Sequence, residues 1–496
     1  MDSLCSIPAF YSGKSVFITG ATGFLGKSLI EKLLRSCPDI KEIFLLMRPK
    51  KDVNIEERLR KLLTNPLFHT LRREQPHCFD KLIPVKGDIA IENLDLSDTD
   101  RNLLIQKTSV IFHIAANVRF DITLRMSVLQ NVKATRDICI LGEHMKNLVA
   151  LVYVSTVYSQ LDKHVIDEIV YPAEVDWKKM IQVVETLDEQ LLEVFKSKYM
   201  GYLPNSYVFS KKLAEQVIVD YSESLPCVIL RPSIVAATLS EPVKGWMSNF
   251  NGPIALSIGV GKGLVRLIYG DINVHINIIP LDTFSKSAIV ASWKCGVRKT
   301  NMRIDLPLVY NCAMSHDRCP INKDLVNFSR NYIQKLPLEN LLWYPQVYYI
   351  KNLYFYNLLF ILFQIIPFWF IDELLRLSGR QPRLMALQRK IFINNYILAH
   401  FTLNNWDIRN ERAISLSDEI SNDQQEFEYG TVLSKGINMI TYLENCIIGA
   451  KTYLLNERMD HLGTAKSQLN RMYWIDIIAK ASFVIFFIWI IYKNIV

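Results

Sequence analysis

The chain has 496 residues, more than one ordinary hydrophobic core organises, which predicts about two domains with additions. Half of the residues are hydrophobic and 21% are charged, a balance that excludes extensive disorder. The formal charge of +8 is scattered rather than gathered in a stripe, so no nucleic-acid partner is expected; the excess suits anionic phosphate groups or a negative membrane surface. The nine cysteines are irregularly spaced without a C-x-x-C pair, and the nine histidines lack H-E-x-x-H spacing. Neither a disulfide frame nor a metal site is expected, and a reducing compartment fits. Residues 1–12 lack a basic segment followed by an apolar run, so no secretory signal is expected and the catalytic part is placed in the cytosol.

In chain order, residues 16–19, 43–47, 82–86, 110–114, 148–155 and 228–231 are short apolar runs that read as buried strands. Between the first two, Leu29, Ile30, Leu33 and Leu34 recur at helical spacing. The rhythm predicts an α/β fold, a Rossmann-type doubly wound parallel sheet. Residues 245–270 are glycine-rich and read as loops near an opening. After about residue 330 the β signal fades, and a mainly helical C-terminal domain is expected. Residues 353–371 carry no charge, but Asn357, Gln364 and Pro367 interrupt them; they read as a buried or interfacial helix, or as a second membrane span. Residues 472–492 reach spanning length only by including Asp476 and Lys480, whose i,i+4 spacing lets them pair. A C-terminal membrane segment is expected there. Lys466 and Arg471 precede it and only Lys493 follows, which agrees with a cytosolic main body.

Residues 15–26 read S-V-F-I-T-G-A-T-G-F-L-G, with Gly20, Gly23 and Gly26 between an apolar strand and an amphipathic helix. That context gives the glycines their meaning: a tight turn, backbone access for a pyrophosphate, and close helix–strand packing at a helix N-terminus that attracts anions. Gly20, Thr22, Gly23, Phe24, Leu25 and Gly26 are the candidate dinucleotide cradle. The second strand ends L-L-M-R-P-K-K at residues 45–51, basic where an NAD site usually carries an acid for the ribose hydroxyl. NADPH is therefore the expected cofactor and Arg48 the contact to its 2′-phosphate, against a solvated basic turn. Asp88 and Ile89 could hold the adenine, and Ala115 and Ala116 could line the cofactor path; plain packing is the alternative for both pairs.

Residues 152–158 read V-Y-V-S-T-V-Y and place hydroxyls at a strand end. Residues 206–216 read S-Y-V-F-S-K-K-L-A-E-Q, where Tyr207 and Lys211 share one helix face. An ammonium beside a phenol lowers its pKa, and such a tyrosine can protonate the oxygen that turns negative as hydride arrives. Thr156, or Ser155, would hydrogen-bond the same oxygen. A chance surface pair is the bland alternative. Residues 176–198 have amphipathic helical character and either frame a substrate entrance or form a packed surface helix.

T-G-A-T-G-F-L-G, S-T and Y-x-x-x-K together resemble the extended short-chain dehydrogenase/reductase superfamily. The chain is closer still to the fatty acyl-CoA reductase family, through H-I-A-A-N at 113–117, L-R-P-S at 230–233, Gly245-Trp246 with Asn249, Gly252-Pro253, the G-x-G-x-G at Gly259, Gly261 and Gly263, and Pro280-Leu281-Asp282. Residues from about 355 to 456 resemble that family's "male sterility" domain. The resemblance implies a reductase domain over residues 12–330, a helical domain over 355–457 and an anchor over 472–492. It further implies reduction of long-chain acyl-CoA to a primary alcohol by two hydride transfers from NADPH, through an aldehyde, with release of coenzyme A. Tyr207 would be the proton donor, Lys211 would lower its pKa, and Thr156 rather than Ser155 would be the key hydroxyl by alignment with relatives. The membrane bilayer is the expected partner, with the endoplasmic reticulum favoured over the peroxisome. A reductase of sterols or nucleotide sugars would not explain the glycine pattern near residue 250 or the region after 355. A non-catalytic protein of this fold would not need Tyr207 and Lys211.

Overall fold

Runs of five or six apolar residues can be buried on both faces only in a parallel sheet covered by helices. The six expected runs are indeed strands of one sheet: β1 (Ser15–Thr19), β2 (Glu42–Met47), β3 (Leu82–Lys86), β4 (Thr108–His113), β5 (Ala150–Val154) and β6 (Cys227–Pro232). A seventh strand, β7 (Leu308–Cys312), has no such signal in the sequence, because Tyr310 and Asn311 interrupt its apolar run. The strand order is β7-β6-β5-β4-β1-β2-β3, and every neighbouring pair is parallel. This is the doubly wound order, reversing direction between β1 and β4. Thr19 pairs with His113 and His113 with Tyr153, so the C-terminal ends of β1, β4 and β5 lie level.

The computed structural model describes residues 6–50, 53–250, 252–298 and 306–495; Cys5 and Lys51 of the basic turn lie outside them. The chain forms two compact units, each assembled from three separate stretches. One comprises Met1–Lys244, Asn277–Cys319 and Trp406–Ile437, and the other Gly245–Ile276, Pro320–Asn405 and Asn438–Val496. The division in space does not follow chain order: the sheet-bearing unit takes in residues 406–437, from within the stretch expected to be a separate helical domain.

In the sheet-bearing unit, α1 (Phe24–Ser36) follows β1, α2 (Ala134–Glu143) follows β4, and α3 (Ser206–Tyr221) precedes β6. Ile138 and Leu141 of α2 and Phe209, Leu213 and Val217 of α3 join Phe17, Ile111 and Leu151 of the sheet in one core cluster. The helix α4 (Leu281–Val297) packs against α1 and against β5 and β6. Its Asp282 carboxylate accepts the N–H groups of Leu239, Ser240 and Glu241, at 2.9, 2.9 and 3.2 Å. A fully buried ion pair ties α3 to β6: Arg231 Nη2 stands 2.7 Å from Glu215 Oε2, and Nε donates to Oε1 at 2.8 Å. Residues 176–198 fall in two helices, Trp177–Thr186 and Glu189–Met200. The first packs Trp177, Met180, Ile181 and Val184 into the core, and its indole donates to Asp220 of α3 at 3.0 Å.

The second unit is mainly helical. The helix α5 (Leu353–Phe360) runs through a π-helical turn, Ile361–Ile365, into α6 (Ile366–Leu377); α7 (Leu384–Leu403) and the long α8 (Leu462–Ile495) follow. Residues 245–270 are not all loop, as the glycines suggested. Gly252–Gly261 is a helix and Leu267–Tyr269 a strand, because Pro253 sits where its fixed φ favours helix initiation and Ile254–Leu256 supply an apolar run. The loop character is kept by Gly263 at φ +73°, where a Cβ would lie 2.2 Å from the Trp343 carbonyl oxygen. Asp476 and Lys480 do pair, at 2.5 Å.

Removing one member of a buried ion pair leaves the other charge without compensation, which costs about 3–5 kcal/mol. Arg231→Met should therefore lower the midpoint of thermal unfolding by several degrees, and an unchanged midpoint would mean that Glu215 does not depend on this partner.

Candidate active site

The chain leaves β1 at Gly20 with φ +78°, and the Gly23 N–H closes the turn onto the Gly20 carbonyl at 2.9 Å. A Cβ on Gly20 would sit 2.8 Å from the Ala115 nitrogen, and one on Gly26 2.3 Å from the Gly20 oxygen. Both positions need glycine for close backbone approach. Gly23 is the N-cap of α1 and has no side chain of its own to bond the first turn. Thr22, Phe24 and Leu25 are half-buried around that turn. A helix start behind a Cβ-free turn fits the pyrophosphate of a dinucleotide.

At the end of β2, Arg48 is exposed, with Nη1 3.7 Å from an Asp88 carboxylate oxygen. Arg58, which the sequence pattern did not single out, donates to the Arg48 carbonyl. Its pKa is pulled down by burial and by the Arg48 charge, so the two guanidinium groups are neighbours. Asp88 accepts the Ala90 N–H at 3.0 Å, while Ile89 packs against the main core. The following residues Asn93, Leu94 and Asp95 all have positive φ, at 52°, 63° and 52°, a strained run beside the Arg48 end of the cradle. Ala115 donates its N–H to Thr19 Oγ1 at 3.2 Å, and half-buried Ala116 follows. Thr19 is in turn 2.8 Å from His113 Nδ1, and His113 Nε2 is 3.1 Å from Thr135 Oγ1. Burial, and the Lys211 charge, push His113 down to about 3, so it stands neutral between two hydroxyls.

The strand β5 ends at Val154 and delivers Ser155 and Thr156, both buried. Their hydroxyls have different destinations. Ser155 Oγ donates to Glu215 Oε1 at 2.5 Å, whereas Thr156 Oγ1 donates to the Pro232 carbonyl at 3.4 Å, accepts the Tyr158 N–H at 3.3 Å, and lies near enough to the Tyr207 hydroxyl to act on its pKa. Glu215 also accepts from Ser159 at 3.1 Å and Gln160 at 3.1 Å, in addition to Arg231. The start of α3 is set by Asn205, whose side chain accepts the Val208 N–H at 3.0 Å. Tyr207 lies in the first turn with its ring 5.6 Å from Phe120, and Lys211 follows one turn on. Lys211 Nζ donates to the Val154 carbonyl at 2.7 Å and stands 4.8 Å over the Tyr153 ring.

The electrostatics depart from the expectation that Lys211 depresses the phenol. Burial raises the Tyr207 pKa above its ordinary value, and the hydrogen bond with Thr156 is what works against the rise. Lys211 is itself pushed down to about 7 by burial, with the Glu215 charge opposing. One participant escaped motif reading. Asn131 lies in a π-helical turn, Val128–Lys133, and its amide donates to Ser210 Oγ at 2.9 Å and to the Asn117 carbonyl at 3.1 Å. Its oxygen accepts the Asn117 N–H at 2.8 Å. No sequence spacing signals it, because a π turn breaks the helical period; Glu215, two turns after Tyr207 on the same helix, was likewise not singled out.

Comparison with known proteins bears on the family and the fold. An NAD-binding family model described as male sterility protein matches residues 18–288, and a second model of the same description matches residues 363–457. Fatty acyl-CoA reductase 1 of Xenopus laevis is 37% identical over 472 residues, covering 95% of this chain and 90% of its own length. Fatty acyl-CoA reductase 2 of Homo sapiens is 34% identical over 471 residues, with the same coverage of each. Among solved structures, the terminal R domain of the myxalamid PKS-NRPS biosynthetic pathway aligns with a TM-score of 0.57 at 18% identity, over 90% of this chain and 92% of that one. The reductase domain of a Mycobacterium tuberculosis nonribosomal peptide synthetase aligns at 0.55 and 16%, over 88% and 92%. At such identities these two likenesses speak for the fold alone. With both family models in chain order and relatives above 30% identity along nearly its whole length, the chain belongs to the fatty acyl-CoA reductase family.

Proposed function

We propose that this chain reduces long-chain fatty acyl-CoA to a primary alcohol, with NADPH as reductant, in two hydride transfers through an aldehyde. The observation that carries the reading is the hydroxyl pair Tyr207–Thr156, with buried Lys211 one helical turn away, at the strand ends level with the glycine cradle. Bound in the cradle, the nicotinamide supplies hydride. The residues of the chain supply the rest. The Gly20–Gly26 turn and the α1 N-terminus receive the pyrophosphate, and Arg48 with Arg58 gives the positive charge a 2′-phosphate needs. Thr156 orients the carbonyl oxygen, and Tyr207, kept protonated by burial, donates its proton as that oxygen gains charge. Lys211 holds an ammonium beside the site through the Val154 carbonyl.

The first reduction yields a hemithioacetal that collapses to aldehyde and coenzyme A, and the second reduces the aldehyde. Both build charge on one oxygen, so one pair of hydroxyls serves both. A covalent thioester step is disfavoured, since burial pushes the thiols of Cys37, Cys295, Cys312 and Cys319 up to about 12. The apolar end of α8 anchors the enzyme in the bilayer, where a long acyl chain partitions, with the sheet-bearing unit on the cytosolic side.

Three measurements test the reading. Tyr207→Phe should lower alcohol formation by about a hundred- to ten-thousandfold while NADPH binding stays within a factor of about two; undiminished turnover removes Tyr207 as proton donor. Because the Lys211 proton is held at about 7, the ammonium is present below that pH and lost above it. The wild-type rate should therefore fall along a one-proton limb as pH rises past about 7, and Lys211→Arg, which keeps its charge, should lack that limb. Arg48→Glu should remove a charge-assisted contact worth about 1.5–3 kcal/mol, a roughly ten- to hundredfold weaker Kd for NADPH with little change for NADH. Equal losses for both cofactors would place Arg48 outside the 2′-phosphate site.

A further inference from the structure

The helix running from α5 through the π turn into α6 is long and apolar enough to cross a membrane by composition, yet one stripe of it is built into the protein. Tyr356, Phe360, Gln364, Phe368 and Asp372, spaced by four, are buried. Gln364 Oε1 accepts the N–H groups of Arg266 and Leu267, both at 2.9 Å, and its amide donates to Gln388 of α7 at 2.7 Å. Asp372 accepts the N–H groups of Arg383, Leu384 and Met385 at 3.1, 3.0 and 2.8 Å, capping the start of α7. A spanning helix would have to break these bonds and carry both polar groups into lipid, at several kcal/mol for each unsatisfied group. The opposite face is apolar and open: Tyr354 is 83% exposed, Phe370 58%, Leu358 54%, Ile361 52% and Trp369 51%.

The long helix α8 says what covers that face. Its first half is docked on the same unit through Ala465, Leu469 and Asp476, all buried. Asp476 accepts from the Trp343 indole at 2.6 Å and pairs with Arg266 at 3.4 Å and Lys480 at 2.5 Å; Lys480 also reaches Gln346 at 2.9 Å. Beyond Lys480 every described side chain except Ile490 is exposed. The free part, residues 481–495, amounts to roughly 22 Å of helix at 1.5 Å per residue. Asp476 and its partners stand about one turn before that exposed apolar stretch begins, so the docked end of α8 sits at the edge of the layer the stretch enters. Arg266, which holds Asp476, donates through Nη1 to the Phe363 carbonyl at 3.0 Å, in the π turn between α5 and α6. Through Arg266 the open apolar face is joined to the docked end of α8, at the edge of that layer.

We infer that the exposed face of α5 and α6 lies submerged in the same bilayer leaflet that α8 enters, as a second, non-spanning attachment to phospholipid. Exposed Arg376 in the last turn of α6, with Arg380, Arg383, Arg389 and Lys390 beyond it, faces anionic headgroups at the rim. The inference rests on the proposed anchoring by α8 and adds to it. In the test, Leu358, Phe370, Ile485 and Tyr202 are replaced one at a time by photoreactive p-benzoylphenylalanine in the full chain, reconstituted in phosphatidylcholine–phosphatidylserine vesicles and irradiated. Tyr202 is 94% exposed on the sheet-bearing unit and serves as the reference. Lipid adducts are expected at 358, 370 and 485 and none at 202. Adducts at 485 without any at 358 and 370 overturn the submerged face alone, as do adducts at 358 and 370 to a second copy of the chain in place of lipid. Loss at 485 as well overturns the anchor and the inference together. A glycosylation acceptor placed between Ser378 and Gln381 should stay unmodified in translocating microsomes; its modification would show that the helix spans, and would also overturn the inference.

Discussion

The fully buried carboxylate of Glu215 is the constraint on which the site depends. It accepts two hydrogen bonds from Arg231 and one each from Ser155, Ser159 and Gln160, so it joins β6, the turn after β5 and the helix α3 in one network. An isolated carboxylate at that depth would be expelled or protonated; with these donors it is stabilised and rigid. Its second effect is on α3 itself. Glu215 stands one turn beyond Lys211 and two beyond Tyr207, so fixing it fixes the azimuth of the helix and aims both side chains at the strand ends. It also takes the Ser155 hydroxyl, which leaves Thr156 as the strand-end hydroxyl beside Tyr207.

The same logic explains what several of the family's short motifs do. Arg231 of L-R-P-S is the partner of Glu215, and Asp282 of P-L-D collects three N–H groups from the turn at residues 239–241. His113 of H-I-A-A-N is held neutral between Thr19 and Thr135. None of these side chains needs to touch a substrate. They organise loops at the strand ends by satisfying backbone and hydroxyl groups that water cannot reach.

The parts of the fold legible in the sequence were those with a local physical signature. Doubly buried strands announce themselves as apolar runs, and the glycine turn announces its need for Cβ-free backbone. The strand β7 was silent because Asn311 is buried through side-chain bonds to the Ile166 and Arg409 carbonyls, a long-range arrangement that leaves no period. Residues 252–261 were misread as loop because glycine content was weighed above the Pro253 start and the apolar run after it. Tyr207 and Lys211 were visible as a pair; that burial, and not the ammonium, governs the phenol was not, since spacing carries no information about desolvation. The Asp476–Lys480 pair was legible from its i,i+4 spacing; the further partners Trp343 and Arg266 were not, since they lie far away in sequence.

The interleaving of the two units has a bearing on how the molecule is made. Glu168, in the sheet-bearing unit, is a buried carboxylate whose donors are the N–H groups of Asn311, Arg412 and Ala413. The last two emerge from the ribosome only after most of the other unit has been synthesised. The nucleotide-binding half therefore holds this acid with only the Asn311 donor until residues 412 and 413 exist, a little over four-fifths of the way along the 496 residues, and the apolar stretch of α8 comes after them. Completion of the fold and insertion into lipid are thus drawn together in time during translation.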